Sequence, residues 1–209
     1  MGLSALLGVG GVIWVHQLTE ERIVENLRQD ALIAIHRLLP QEAYDNNLLE
    51  HPLDFDIQRD GRGALPVTAY LAELQGEPVA TLLRLTTPDG YNGDIQLMLA
   101  VRPDGRLTGV EVVAHRETPG LGDRIESNRS DWLSQFNDAS LDNPVFSAWK
   151  VKRDGGRFDQ LSGATVTPRA VVLAVRDALT YLRRHQLAGV IETDRPEQPI
   201  PPRLLPELG

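Results

Sequence analysis

Between Leu65 and His115 apolar and polar positions alternate in four runs: Leu65 to Leu74, Pro78 to Leu85, Asp94 to Arg102 and Leu107 to His115. A period of two marks strands whose two faces differ. Gln75-Gly76, Gly90 to Gly93 and Asp104-Gly105 separate the runs, and Asp-Gly between alternating stretches is a strong two-residue hairpin signal. On either side the period lengthens. Ile23, Val24, Leu27, Ala31, Ile35 and Leu38 line one face of a helix from Glu20 to about Leu39, with Thr19 as cap and Pro40 as stop. Val171, Val172, Val175, Ala178, Leu179 and Leu182 predict a second helix, from about Pro168 to the region of His185 to Gly189. Thr167 reads as its N-cap and Pro168 as its first residue, where a missing N–H costs nothing.

The remaining segments are less regular. Residues 41–64 are polar and turn-rich, and within them Asp54-Phe55-Asp56 is an acidic pair of metal-ligating type for which a solvated loop is the simpler reading. Ser130 to Phe136 predicts a short helix with Asp131 in its first turn. Ala148 to Arg153 predicts a brief strand that Asp154-Gly155-Gly156 turns back. Past residue 189 the chain is proline-rich, with Arg195-Pro196, Gln198-Pro199 and Ile200-Pro201-Pro202.

Met1 to Leu18 carries no charge and has roughly the length that begins to span a bilayer. Trp14 and His16 suit a membrane interface. A basic leader and a small-x-small cleavage site are missing before Thr19, so the segment reads as an anchor rather than a signal peptide. The fold class predicted is α+β: an N-terminal transmembrane helix, then an antiparallel-sheet domain with flanking helices. The expected divisions are an anchor at 1–18, a helical and loop connection at 19–64, the domain at 65–189 and a tail at 190–209.

Composition narrows the function. The chain has 209 residues, 42% of them hydrophobic, which is enough for one packed core plus an appendage. Its net charge of −8, with no clustered Lys and Arg, argues against a nucleic-acid partner. There is no cysteine, which removes disulfides, iron–sulfur ligation and thiol catalysis together. Any redox centre is then an organic cofactor or is held by non-thiol ligands.

The stretch with the most chemistry is Asp159-Gln160-Leu161-Ser162-Gly163-Ala164-Thr165-Val166-Thr167-Pro168, just ahead of the second helix. Unpaired N–H groups and the positive end of the macrodipole sit at a helix start, and Gly163 and Ala164 keep side chains clear of that backbone. Local chemistry alone leaves two readings: a phosphate site, or a plain capped helix. Ser162-Gly163 lacks the Gly-x-Ser-x-Gly elbow of serine hydrolases.

The string Asp-x-x-Ser-Gly-Ala-Thr resembles the flavinylation motif of the FMN-binding domain family. His115-Arg116-Glu117-Thr118-Pro119-Gly120-Leu121-Gly122-Asp123 contains a loop similar to one typical of that family, and Pro88 to Ile95 resembles its turn into a central strand. The similarity covers most of the chain from about Pro66 to the end of the last helix. It implies FMN joined by a flavin transferase, through a phosphoester, to Thr165, with Asp159 opening the motif and Ser162, Gly163, Ala164, Val166 and Thr167 around it. It implies that Thr118 offers a hydroxyl to phosphate or ribityl oxygens, that Gly120 and Gly122 let backbone approach the flavin, and that Leu121 lies against its ring. Glu117 belongs to the same loop; one residue from His115, it is also open to a metal or acid–base reading.

Within the family the motif is most similar to the flavin subunits of Rnf-type ion-translocating oxidoreductases, with the sodium-translocating NADH:quinone reductase carrying a sibling. The resemblance implies an electron-transfer subunit not catalytic alone, partnered by the other subunits of the Rnf membrane complex. It places the chain in the bacterial inner membrane, single-pass, with the FMN domain on the periplasmic side. A membrane-tethered phosphate or nucleotide module without flavin, and a purely structural anchor, are the readings from other classes. Arg169, in the first helical turn, is a candidate second phosphate contact. Trp132 and Trp149 read first as core residues and second as stacking platforms, and Lys150 and Lys152 first as a solvated face and second as charge near the flavin.

Overall fold

The computed structural model describes residues 32–59 and 61–185. A helix at 32–38 (α1) precedes five strands: β1 (Leu53–Arg59), β2 (Gly63–Leu74), β3 (Glu77–Thr87), β4 (Ile95–Val101) and β5 (Leu107–His115). A long helix, α2 (Val166–Arg184), follows four short 3-10 turns at Gly122–Ile125, Trp132–Phe136, Phe146–Ala148 and Lys152–Asp154. The strands form one antiparallel sheet in chain order, β1-β2-β3-β4-β5, so every pairing is between neighbours in sequence.

Both faces of the sheet are covered. On one, Ile35, Leu38 and Leu39 pack on Tyr70, Leu82, Met98 and Ala100. On the other, Val171, Val172, Val175, Leu179 and Leu182 of α2 pack on Leu83, Leu85, Leu97 and Leu99. Successive residues of β4 therefore enter opposite cores, which explains its nearly continuous apolar sequence. Each fully buried Val or Leu contributes roughly 1.5–3 kcal/mol, so the two covers fix the sheet and leave its connections to carry the chemistry.

The hairpins follow their turn residues. Gln75 and Gly76 both have positive φ, 57° and 81°, as a two-residue turn between β2 and β3 requires. Gly105 has φ 79° and its N–H donates to the Arg102 carbonyl at 2.9 Å in the β4–β5 turn.

Two segments differ from the sequence reading. Residues 53–59, expected in a connection, form edge strand β1: Ile57 and Arg59 are buried, while Asp54, Asp56 and Gln58 point outward. Asp54 is in a strand rather than a loop, and its carboxylate accepts the Thr68 hydroxyl at 2.6 Å. Ala148 to Arg153 is not a strand, because Lys152–Asp154 winds into a 3-10 turn and only Val151 bridges to Phe158. The predicted anchor at 1–18, the helix positions 20–31 and the tail at 190–209 lie outside the described residues. Among the described residues no helix is long and apolar enough to cross a membrane.

Candidate functional site

Aromatic packing roots the 159–165 loop. Phe158 stacks on Phe136 with ring centroids 4.8 Å apart and lies 4.8 Å from Trp149. The Trp132 indole donates to the Asp159 carbonyl at 2.7 Å, and the Trp149 indole to the Ser140 carbonyl at 2.9 Å. Both tryptophans are thus core residues that pin the base of the loop. The chain then turns: the Ala164 N–H donates to the Leu161 carbonyl at 3.1 Å, with Gly163 at φ 81°. A Cβ on Gly163 would stand 3.1 Å from Leu121 Cδ2, so glycine serves both the turn and the close approach of the two loops. Asp159, Ser162, Gly163 and Val166 are exposed and Ala164 and Thr165 half-buried.

The helix starts earlier than its sequence suggests. Thr165 occupies the N-cap position, with no side-chain cap bond, and α2 begins at Val166. Thr167 is not the cap. It lies inside the first turn, 1% exposed, and its hydroxyl donates to the Glu117 carboxylate. Glu117, 4% exposed, also accepts the Asn92 N–H at 3.1 Å, and its own N–H donates to His115 Nδ1 at 3.0 Å. The Asn92 amide donates to the Thr118 hydroxyl at 3.1 Å. Glu117 therefore ties three segments together: the Gly90–Gly93 turn, its own loop and the start of α2. Asp89, which opens that turn, is held in turn by the buried guanidinium of Arg59 at 2.5 Å.

These segments enclose a cavity of about 330 Å³, lined by Tyr91, Glu117, Thr118, Leu121, Gly122 and residues 163–167. Of the residues that the motif resemblance points to, Asp159, Ser162 and Gly120 lie outside this lining and the others form it. A hollow of about 410 Å³ between the Asp104-Gly105 turn and the end of α2 is larger but touches none of the motif. Around the cavity three apolar side chains stay in solvent: Tyr91 at 69%, Leu121 at 43% and Val166 at 40% exposure. Arg153 Nη1 points at the Thr165 hydroxyl from 3.4 Å.

The FMN-binding domain family matches residues 90–180, from the Gly90 turn through most of α2. A Pseudomonas aeruginosa protein, the G subunit of an ion-translocating oxidoreductase complex, is 51% identical over 185 residues, covering 87% of this chain and 85% of its own. The chain belongs to this G-subunit family. Proteins of the same description from Shewanella piezotolerans and Vibrio cholerae are each 39% identical over 186 residues, covering 89% of this chain and 88% of their own.

The residues of this family member fit FMN. By helix geometry the N–H groups of Val166 and Thr167 have no intrahelical acceptor and Pro168 has no N–H to offer, so the first turn presents two donors beside Thr165. Thr165 lines the cavity, and Tyr91, Leu121 and Val166 offer apolar surface for a ring system.

Some assignments change. Glu117 is a buried acceptor that orders the loops, and with His115 bonded to Glu126 at 2.8 Å the pair forms no metal site; no metal-binding cluster occurs among the described residues. Arg169 does not turn to Thr165, because Asp154 holds it through two bonds of 2.6 and 2.8 Å. The Arg169 hydrogen bond keeps the Asp154 carboxyl below its ordinary value. Lys152 pairs with Asp159 at 2.5 Å. Arg153, Asn92 and Tyr91 were not singled out from sequence. Tyr91 had a signal in Asp89-Gly90-Tyr91, whereas Arg153 sits in a stretch that alternation misassigned.

Proposed function

We propose that this chain is a membrane-anchored electron carrier that holds FMN through a phosphoester to Thr165, within an Rnf-type ion-translocating oxidoreductase. The observation that carries the reading is the Thr165 hydroxyl itself, set at the start of α2 on a cavity with a half-exposed apolar rim. When bound, FMN supplies the one- or two-electron chemistry. The chain's part is to present a hydroxyl, to face the phosphate with the Val166 and Thr167 N–H groups, and to keep an apolar surface against one side of the ring. A covalent bond retains the cofactor however tightly the site would hold it reversibly.

The exposure of Ser162 and Gly163 suits a loop read by a flavin transferase. Met1 to Leu18 is the proposed single-pass anchor in the bacterial inner membrane, with the FMN domain on the periplasmic side. The other subunits of the complex are the redox partners, and they carry the ion path, since the anchor has no carboxylate to serve one. Co-expression with a flavin transferase followed by denaturing electrophoresis tests this. A yellow, fluorescent band supports the reading; a colourless one leaves a phosphate or nucleotide module, or a structural anchor, in its place.

A further inference from the structure

We propose that Arg153 is the anion-binding side chain of this site, holding the phosphoryl group once it is on Thr165 and favouring its arrival. The inference rests on the reading of Thr165 as the FMN acceptor. Among the cations near the loop, Arg169 is paired with Asp154 and Lys152 with Asp159. Arg153 has no carboxylate at ion-pair distance among the described residues, and its guanidinium is directed at Thr165 Oγ1 from 3.4 Å.

Its position is built rather than incidental. The Arg153 N–H donates to Gln160 Oε1 at 3.2 Å, so the motif itself holds the turn that carries the arginine. Gly155 closes that turn at φ 81°, and a Cβ on Gly156 would stand 2.0 Å from the Lys150 carbonyl oxygen. Lys150 and Arg157 flank it, both exposed, giving a basic lip on a chain of net charge −8.

A guanidinium 3.4 Å from a neutral hydroxyl makes a weak contact. Esterification changes that. Thr165 Oγ bonds to the phosphorus of a flavin donor that carries its phosphate as an anhydride. The phosphorus–oxygen bond to the leaving phosphate breaks, the leaving group takes the electron pair, and the hydroxyl proton passes to a base of the transferase. No redox change occurs. Thr165 then bears a phosphodiester anion within reach of Arg153, and planar paired donors suit phosphate oxygens. Lys150 and Arg157 raise the local concentration of an anionic donor.

The test compares the parent chain with Arg153→Gln and Arg153→Lys, each with and without exposure to a flavin transferase and its flavin donor. Arg153 is exposed, so Arg153→Gln is expected to move the melting temperature of the unmodified protein by no more than about 2 °C. Covalent flavin, read by in-gel fluorescence at limiting transferase, is expected to form about tenfold more slowly in Arg153→Gln. Arg153→Lys restores most of the rate. Modification is expected to raise the melting temperature of the parent more than that of Arg153→Gln, a coupling that a structural arginine would not show. Parental rate and parental gain in Arg153→Gln overturn the assignment, as does an equal loss of stability in both forms. If the parent itself takes no flavin, the Thr165 reading fails and this inference with it; flavin on the parent with an indistinguishable variant removes this inference alone.

Discussion

The Thr167 hydroxyl donates to the Glu117 carboxylate across a separation of 50 residues, and both side chains are buried. This bond fastens the first turn of α2 to the loop after β5. A carboxylate at 4% exposure is stable only while its oxygens have donors.

Thr167→Val removes one donor and leaves the buried Glu117 oxygen short of a partner. The expected cost is about 1–3 kcal/mol in urea unfolding. Thr165→Val is expected to cost less, since Thr165 is half-buried and, among the described residues, its hydroxyl makes only the Arg153 contact. Equal losses for the two variants would mean that the Glu117 bond contributes little.

The glycines around Glu117 are expected to be intolerant. A Cβ on Gly90 would lie 2.2 Å from the Gly93 carbonyl oxygen and 2.8 Å from Glu117 Oε1. On Gly122 it would lie 2.9 Å from Glu117 Cβ and 3.1 Å from Thr167 Oγ1. Gly90→Ala and Gly122→Ala should each destabilise by about 1–3 kcal/mol through overpacking. Gly122→Ala should also disturb the amide resonances of Val166 and Thr167. An unperturbed amide spectrum in Gly122→Ala would contradict the packing described.

Much of the scaffold was legible because its signals are local. Asp104-Gly105 and Gln75-Gly76 name their own turns, and the runs they separate became β2 to β5. Edge strand β1 was missed because only Ile57 and Arg59 are buried, and Asp54, Asp56 and Gln58 on the open face read as loop. That omission hid Arg59, the guanidinium that holds Asp89 and so the Tyr91 turn. The Thr165 motif is contiguous, so its place before α2 was readable, whereas the partner of Thr167 was not. Sequence offers Thr167 a local use as cap; the buried Glu117 carboxylate, brought near only by folding, takes its hydroxyl instead. Arg153 escaped for a related reason. Alternation in Lys150-Val151-Lys152 suggested a strand, while the chain winds into a 3-10 turn that aims Arg153 at Thr165.

Asp154 offers a check by titration. The Arg169 bond lowers its carboxyl below the ordinary 3.8, with smaller help from the Arg169, Arg153 and Lys150 charges. A carboxyl depressed in the folded state contributes stability that is present above its unfolded value and lost as pH falls through the folded value. The effect should therefore appear only in acid below pH 3.8. Carbon-detected NMR should find the Asp154 midpoint lower in the parent than in Arg169→Met. The same midpoint in both would show that the clasp does not persist in solution.

The central claim is that Thr165 carries the flavin, and intact mass of the chain after co-expression with a flavin transferase tests it most directly. The parent is expected to gain the mass of one FMN less one water, localised by peptide fragmentation to Thr165. Thr165→Val, close in volume and without a hydroxyl, is expected to stay at its unmodified mass while remaining folded by circular dichroism. A flavin adduct persisting in Thr165→Val, or mapping to Ser162 or Thr167 in the parent, would contradict the account.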